Sequence, residues 1–239
     1  MMPHLHALLG PLFSGAFWRA AIAARQARAF DRRHGTDTVE RLPVDAMRGV
    51  PTALARHAVH YEPSALPKLQ RALRVVAGTL GSRLSEFSFV DIGSGKGLVV
   101  MLASRHPFRV VLGVEMAPEL HAIAERNLVR YRATGAAPTR VVIGDALGVD
   151  LPPGNLVVYL YNPFDAAVLE PFVSRLAAIA ADGREILVVY VNPQHAHVLE
   201  DSRCVEPIFV DAHLRVYRWR MGAALATPAS GMWHGRAAD

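Results

Sequence analysis

From residue 86 onward the chain alternates short unbroken apolar runs with stretches of helical periodicity, and this alternation restricts the fold more than any other feature. The runs at 87–90, 109–114, 140–143, 156–160 and 186–190 are too short for buried helices and too continuously apolar for strands with one wet face. They predict strands buried on both sides, which occur in parallel sheets covered by crossover helices. Helices are predicted over about 96–105, 117–132 and 166–181, between the runs. The pattern then changes. Residues 204–210 and 214–219 form two further runs with only a short link, so one of them is predicted to run antiparallel at the sheet edge. The expected class is therefore α/β, a mostly parallel sheet with helices on both faces.

The N-terminal third has another texture. Residues 1–35 read as helical, 34–38 as a break and 42–51 as an irregular connector. A helix over 65–80 is expected from Leu66, Leu69, Leu73, Val76 and Leu80, which step by three or four, with Ser64 as its N-cap and Gly81 as its end. This gives an N-terminal helical extension or lid over 1–82, a main domain over 83–221 and a flexible tail over 222–239. Residues 1–85 carry 12 Arg or Lys against 5 Asp or Glu, whereas the remainder carries 14 against 16. The basic third could attract an acidic partner or an anionic membrane surface. A surface-lying helix bearing Phe13, Phe17, Trp18 and Ile22 leaves peripheral membrane contact open, but packing of these side chains onto the main domain is favoured. The apolar stretch 8–24 is interrupted by Gly10, Pro11, Gly15 and Arg19, so no transmembrane segment is expected, and no signal peptide is read at the start. With 51% hydrophobic and 20% charged residues the chain can build a core. Its single cysteine, Cys204, excludes an intramolecular disulfide framework and a cysteine zinc site. A reducing, cytoplasmic location is expected.

Chemistry concentrates at Val90-Asp91-Ile92-Gly93-Ser94-Gly95-Lys96-Gly97, between a predicted strand and a predicted helix. Glycines there let the backbone adopt positive φ and pass close to a ligand. Glu115, Asp145 and Asn162 follow at separations of 24, 30 and 17 residues, each about one strand–helix–strand step. In an open α/β sheet these four polar side chains line the carboxyl edge, where ligands bind. A carboxylate after the second strand is placed to accept two ribose hydroxyls, one after the third to accept from an adenine amino group, and Asp91 to hold an ammonium. A phosphate loop is disfavoured because Lys96 is followed by Gly97 rather than Ser or Thr. A dinucleotide site, and with it an NAD-dependent oxidoreductase, is disfavoured because Leu98 stands where the last glycine belongs. Asp91 would also point a negative charge at a pyrophosphate.

These residues, with Gly113-Val114-Glu115, Gly144-Asp145-Ala146 and Tyr161-Asn162-Pro163-Phe164, resemble the class I S-adenosylmethionine-dependent methyltransferases over about 86–220. The resemblance implies a Rossmann-like seven-stranded sheet whose last strand is inserted antiparallel, and S-adenosylmethionine as cofactor. It implies that Gly93, Ser94, Gly95 and Gly97 run beneath the methionyl part, and that Asp91 supports its amino group. Glu115 would bind the ribose, Asp145 and Ala146 would border the adenine, and Met116 would pack on the base. Tyr61-Glu62-Pro63-Ser64 is similar to a segment of some protein lysine methyltransferases that folds over the cofactor, which would bring Tyr61 and Ser64 to the site. Residues 32–38 are similar to a segment of uncharacterised bacterial members of the class.

Asn162-Pro163-Phe164 is similar to, but shorter than, the Asn-Pro-Pro-aromatic loop of amino-group methyltransferases. The resemblance implies that Asn162 orients a target nitrogen, that Pro163 offers a carbonyl and that Phe164 forms a wall. Asn as N-cap and Pro as first helical residue is the alternative for this stretch and for Asn192-Pro193. The histidine pairs His4/His6 and His195/His197 lack a third ligand, so no metal is expected. The expected activity is methyl transfer to nitrogen, with a protein lysine or other protein nitrogen first, a small-molecule amine second and nucleic acid third. A cofactor-binding protein without turnover is the alternative. No stretch marks a contact between chains.

Overall fold

A computed structural model of the chain describes residues 15–40, 65–131 and 137–220. Seven strands, β1 (Phe87–Ile92), β2 (Val111–Glu115), β3 (Thr139–Ile143), β4 (Asn155–Tyr161), β5 (Ile186–Val191), β6 (Val205–Val210) and β7 (Leu214–Trp219), form one sheet in the order β3-β2-β1-β4-β5-β7-β6. The first five pair in parallel. β7 runs antiparallel to both of its neighbours. The fold is thus the seven-stranded, Rossmann-like, mostly parallel α/β sheet, and two α-helices precede it among the described residues.

Alternation within the strands divides the core in two. Phe87 and Phe89 of β1, Val157 and Tyr159 of β4, and Leu187 and Val189 of β5 face one layer. This layer is closed by α2 (Leu66–Leu80) and α3 (Leu98–Ala103), with Ala124 and Tyr131 of α4 (Pro118–Tyr131). Val90, Leu156, Val158, Leu160 and Val188 face the other, closed by α5 (Ala166–Ala181) and α6 (Ala196–Asp201). Every residue of β1, β2 and β5 is buried, which is why their sequences read as unbroken apolar runs. α1 (Gly15–His34) lies against α4, with the Phe30 ring stacked on Tyr131 at 5.7 Å between centroids.

Five expectations need correction. The run at 140–143 is not buried on both sides: β3 is an edge strand of the sheet and leaves Arg140 and Ile143 exposed. The antiparallel strand is internal, as the resemblance implied, rather than at the edge, as the short link suggested: β7 inserts between β5 and β6, and β6 takes the edge. The reason is visible in the side chains. β7 buries Leu214, Val216, Tyr217 and Trp219, whereas β6 exposes Ile208 and Val210 and carries Pro207 beside a register shift. Such features suit an edge strand. α3 begins at Leu98 rather than 96, because Gly97 at φ 83° is its N-cap. α6 was not expected. The N-cap of α2 is Ala65, without a side-chain hydrogen bond, rather than Ser64. Ser64 itself, Tyr61, the connector at 42–51, His4, His6 and the 222–239 tail lie outside the described residues. Among the described residues no helix is long and apolar enough to cross a membrane.

Strand order reverses between β1 and β4, the switch point where ligands bind in open sheets of this kind. Close packing beneath it rests on Gly113 of β2. A Cβ there would meet Val100 Cγ2 at 2.7 Å, Val141 Cγ1 at 2.8 Å and Ser94 Cβ at 2.9 Å. Gly113→Ala is accordingly expected to destabilise the fold by about 2 kcal/mol through overpacking, as measured by urea unfolding.

Candidate functional site at the carboxyl edge of the sheet

β1 ends in a turn whose glycines all have left-handed backbone: Gly93 at φ 75°, Gly95 at 53° and Gly97 at 83°. Side chains other than glycine's strain there. The turn is tied on two sides. The N–H groups of Gly93 and Ser94 both donate to the Val114 carbonyl, at 2.9 and 3.0 Å. Glu115, at the end of β2, accepts from Gly95 N–H through Oε2 at 2.7 Å and from Ala117 N–H through Oε1 at 2.8 Å. Burial raises the Glu115 pKa, against the pull of the Ala117 and Gly95 N–H groups.

Asp91 lies behind this turn on the face that carries Phe87 and Phe89. Its side chain is buried, and Oδ2 has no hydrogen-bond partner. Burial, and secondly the neighbouring Glu115 carboxylate, push its pKa well above the usual carboxylate range. Ser94 Oγ, on the residue just before Gly95 in the same turn, is also buried without a partner. A buried carboxylate oxygen and hydroxyl left unmatched at a strand end fit a ligand that brings its own hydrogen-bond donors, and a cationic one above all.

The loop after β4 reaches the same turn. A Cβ on Gly93 would lie 3.0 Å from Pro163 Cβ, so only glycine admits the close approach. Asn162 is buried at φ 43°, and its Oδ1 accepts from the Tyr190 hydroxyl at 3.1 Å. The reading of Asn162 and Pro163 as N-cap and first helical residue does not hold. α5 starts at Ala166, four residues on, capped by Asp165, whose Oδ1 accepts from Val168 N–H at 3.3 Å. Asn192 repeats the geometry at φ 51°, with α6 starting only at Ala196. Both Asn-Pro steps are left-handed exits from strands. Phe164 is placed inward, its ring edge-on to Phe172 at 5.9 Å in the core.

The structure therefore brings Asp91, Gly93, Ser94, Gly95, Gly97, Glu115 and Pro163 into one cluster, with Asn162 beside it. Asp145 stands farther along the edge, where its Oδ1 accepts from Leu147 N–H at 3.1 Å. Ala146 is buried and its carbonyl accepts from Arg175 of α5. Met116 follows Glu115, half-buried. Two participants were not anticipated: Tyr190, which engages Asn162, and Lys96, which the turn turns away from solvent. The signal for Tyr190 was the repeated pattern of a tyrosine shortly before Asn-Pro in β4 and β5. Among the described residues no group of three or more His, Cys, Asp or Glu could hold a metal ion.

No protein-family model matches the chain, and no curated protein matches it. Its path is similar to that of an RNA methyltransferase from Salinibacter ruber in complex with S-adenosyl-L-homocysteine, at 20% identity and TM-score 0.45, over 69% of this chain and 97% of that one. It is similar to magnesium protoporphyrin IX methyltransferase from Synechocystis, at 13% identity and TM-score 0.49, over 82% and 95%. A ribosomal protein L11 methylase from Lactobacillus delbrueckii gives 12% identity and TM-score 0.47, over 76% and 89%.

Asp91 makes the site expensive to maintain. Because the folded protein holds the Asp91 proton more tightly than the unfolded chain does, stability is gained as pH falls through its raised pKa and lost as pH rises. Asp91→Asn is therefore expected to stabilise the free protein near neutrality by about 1–3 kcal/mol. The gain should vanish in acid, where wild-type Asp91 is already neutral. Urea unfolding at the two pH values checks both parts.

Proposed function

We propose that the chain is an S-adenosylmethionine-dependent methyltransferase acting on a nitrogen nucleophile. The observation that carries this reading is the buried, unpartnered Asp91 oxygen at the end of β1, next to a turn with three left-handed glycines and across from Pro163. A free ammonium on the ligand would supply the missing donor and favour the ionised carboxylate. Glu115 has acceptor positions left beyond its two backbone bonds, since a carboxylate offers about four, and these suit the two ribose hydroxyls. Asp145, Ala146 and Met116 follow in strand order and suit the adenine. Tyr61 and Ser64 belong to the proposal only as a segment that could cover the cofactor.

The bound cofactor would supply the electrophilic methyl group on its sulfonium. What the chain itself contributes is alignment and exclusion of water. Asn162 is suited to orient the target nitrogen through its amide, and Pro163 to fix the loop against Gly93. Tyr190 donates to Asn162 Oδ1 and so sets how the amide is turned. Phe164, seated on Phe172, supports the loop from below. A protein lysine or other protein nitrogen is the preferred acceptor class, with a small-molecule amine next.

The engagement of Asn162 Oδ1 by Tyr190 favours one second reading, a cofactor-binding protein without turnover. Methyl-labelled S-adenosylmethionine incubated with lysate separates the two, and the labelled fraction names the acceptor class. For a methyltransferase, Asn162→Ala is expected to lower kcat roughly 100-fold through misplacement of the nucleophile, with cofactor affinity unchanged. Titration calorimetry should show S-adenosylmethionine binding to the wild type and none to Asp91→Ala. Because an ammonium contact favours the ionised carboxylate, binding below the raised Asp91 pKa is expected to release protons, and the wild-type enthalpy measured there should depend on the buffer's ionisation enthalpy. A buffer-independent enthalpy would count against the ammonium–Asp91 contact.

A further inference from the structure

The expected break after α1 is a built connection to the glycine turn. Asp31, in the last turn of α1, gathers the residues that follow. Its Oδ1 accepts from Thr36 Oγ1 at 2.7 Å and Thr38 Oγ1 at 2.9 Å, and its Oδ2 from the N–H groups of Thr38 at 2.9 Å and Val39 at 3.2 Å. Folded back in this way, the segment presents Asp37 to the turn. Lys96, between Gly95 and Gly97, donates through Nζ to Asp37 Oδ1 at 2.8 Å. The Lys96 side chain is 1% exposed and that of Asp37 36%. Asn127 of α4 completes the connection and is fully buried. Its Oδ1 accepts from Asp37 N–H at 2.9 Å, and its Nδ2 donates to the carbonyls of Asp37 at 2.8 Å and Lys96 at 2.9 Å.

We propose that Asp37 and Asn127 are positioning residues for the cofactor, and that residues 31–39 are a structural part of its site rather than a separate extension. The proposal rests on the reading of the turn as a cofactor site. A turn with three glycines has many conformations open to it, and a ligand pays for any that must be suppressed on binding. Glu115 holds Gly95 from the β2 side, while Asp37 and Asn127 hold Lys96 from the opposite side. Together they fix the Ser94–Gly95 and Lys96–Gly97 peptides, one on each side of the turn's centre, before any ligand arrives. A buried ammonium with one carboxylate partner also makes the latch sensitive to loss of that carboxylate.

Calorimetry with S-adenosylmethionine tests this on the full chain. Asp37→Asn and Asn127→Ala are each expected to weaken binding about tenfold or more, in the range typical of coupled sites. Leu176→Ala, in the core of α5 away from the turn, should lower the melting temperature comparably yet leave affinity within about twofold of wild type. Should Asp37→Asn fail to fold because Lys96 is left unpaired, Asp37→Asn with Lys96→Met removes both charges and meets the same criterion. Wild-type affinity in these latch variants, or equal weakening in Leu176→Ala, overturns the proposal. If the wild type binds no S-adenosylmethionine, the cofactor reading fails on its own. Amide hydrogen exchange at residues 93–98 then decides the latch. Asp37→Asn must accelerate it beyond Leu176→Ala, and unchanged exchange overturns the latch.

Discussion

A carboxylate at the end of β2 holds a strand-to-helix turn that could not hold itself. Gly93, Gly95 and Gly97 allow the chain to leave β1 through left-handed backbone and begin α3 at Leu98. The same freedom would let the turn wander. Glu115 removes it by accepting from Gly95 N–H, and the Val114 carbonyl by accepting from Gly93 and Ser94. Gly113 leaves room beneath for Ser94, Val100 and Val141 to meet. The position of α3 and the shape of the carboxyl edge both follow from these ties.

Around this turn the structure departs from what stability alone would favour. A protein optimised for stability alone would not bury the Asp91 carboxylate with an unmatched oxygen beside a second carboxylate. Nor would it place Asn162 and Asn192 at positive φ at the ends of adjacent strands. The penalty is carried by a sheet whose central strands are wholly buried and packed on both faces. Local misfit at the edge of a well-packed layer is a departure from stability that a rigid sheet can carry.

Much of the fold was legible because burial on both faces leaves a plain mark, an unbroken apolar run, which β1, β2, β4 and β5 carried; β3 showed the same run although it is an edge strand with Ile143 exposed. The order of β6 and β7 was harder, since both alternate in part. Pro207 was the available cue, as proline suits an edge strand and not an internal one. At the site, Asp91, Glu115, Asp145 and Asn162 could be placed on one edge from spacing alone, since parallel crossovers return each strand end to the same side. Local propensity misled at Asn162-Pro163, which reads as a helix start. Pro163 instead packs against Gly93, and Asp165 caps the helix. Lys96 had no role left in the sequence once a phosphate loop was set aside. Its partner is 59 residues earlier in a segment that periodicity marks only as a break.

The amino-acid sequence alone determined the class of fold, the existence of the glycine turn and the row of polar groups along one edge. Each of these depends on periodicity or on residue types at local spacing. Tertiary structure decided which groups remain unsatisfied and which are tied. Glu115 is held by backbone amides while Asp91 keeps a free oxygen. Asn162 meets Tyr190, and Lys96 meets Asp37. Hydrogen bonds and ion pairs between distant segments depend on angstrom-scale approach of side chains. Only the packed sheet and its helices create that approach.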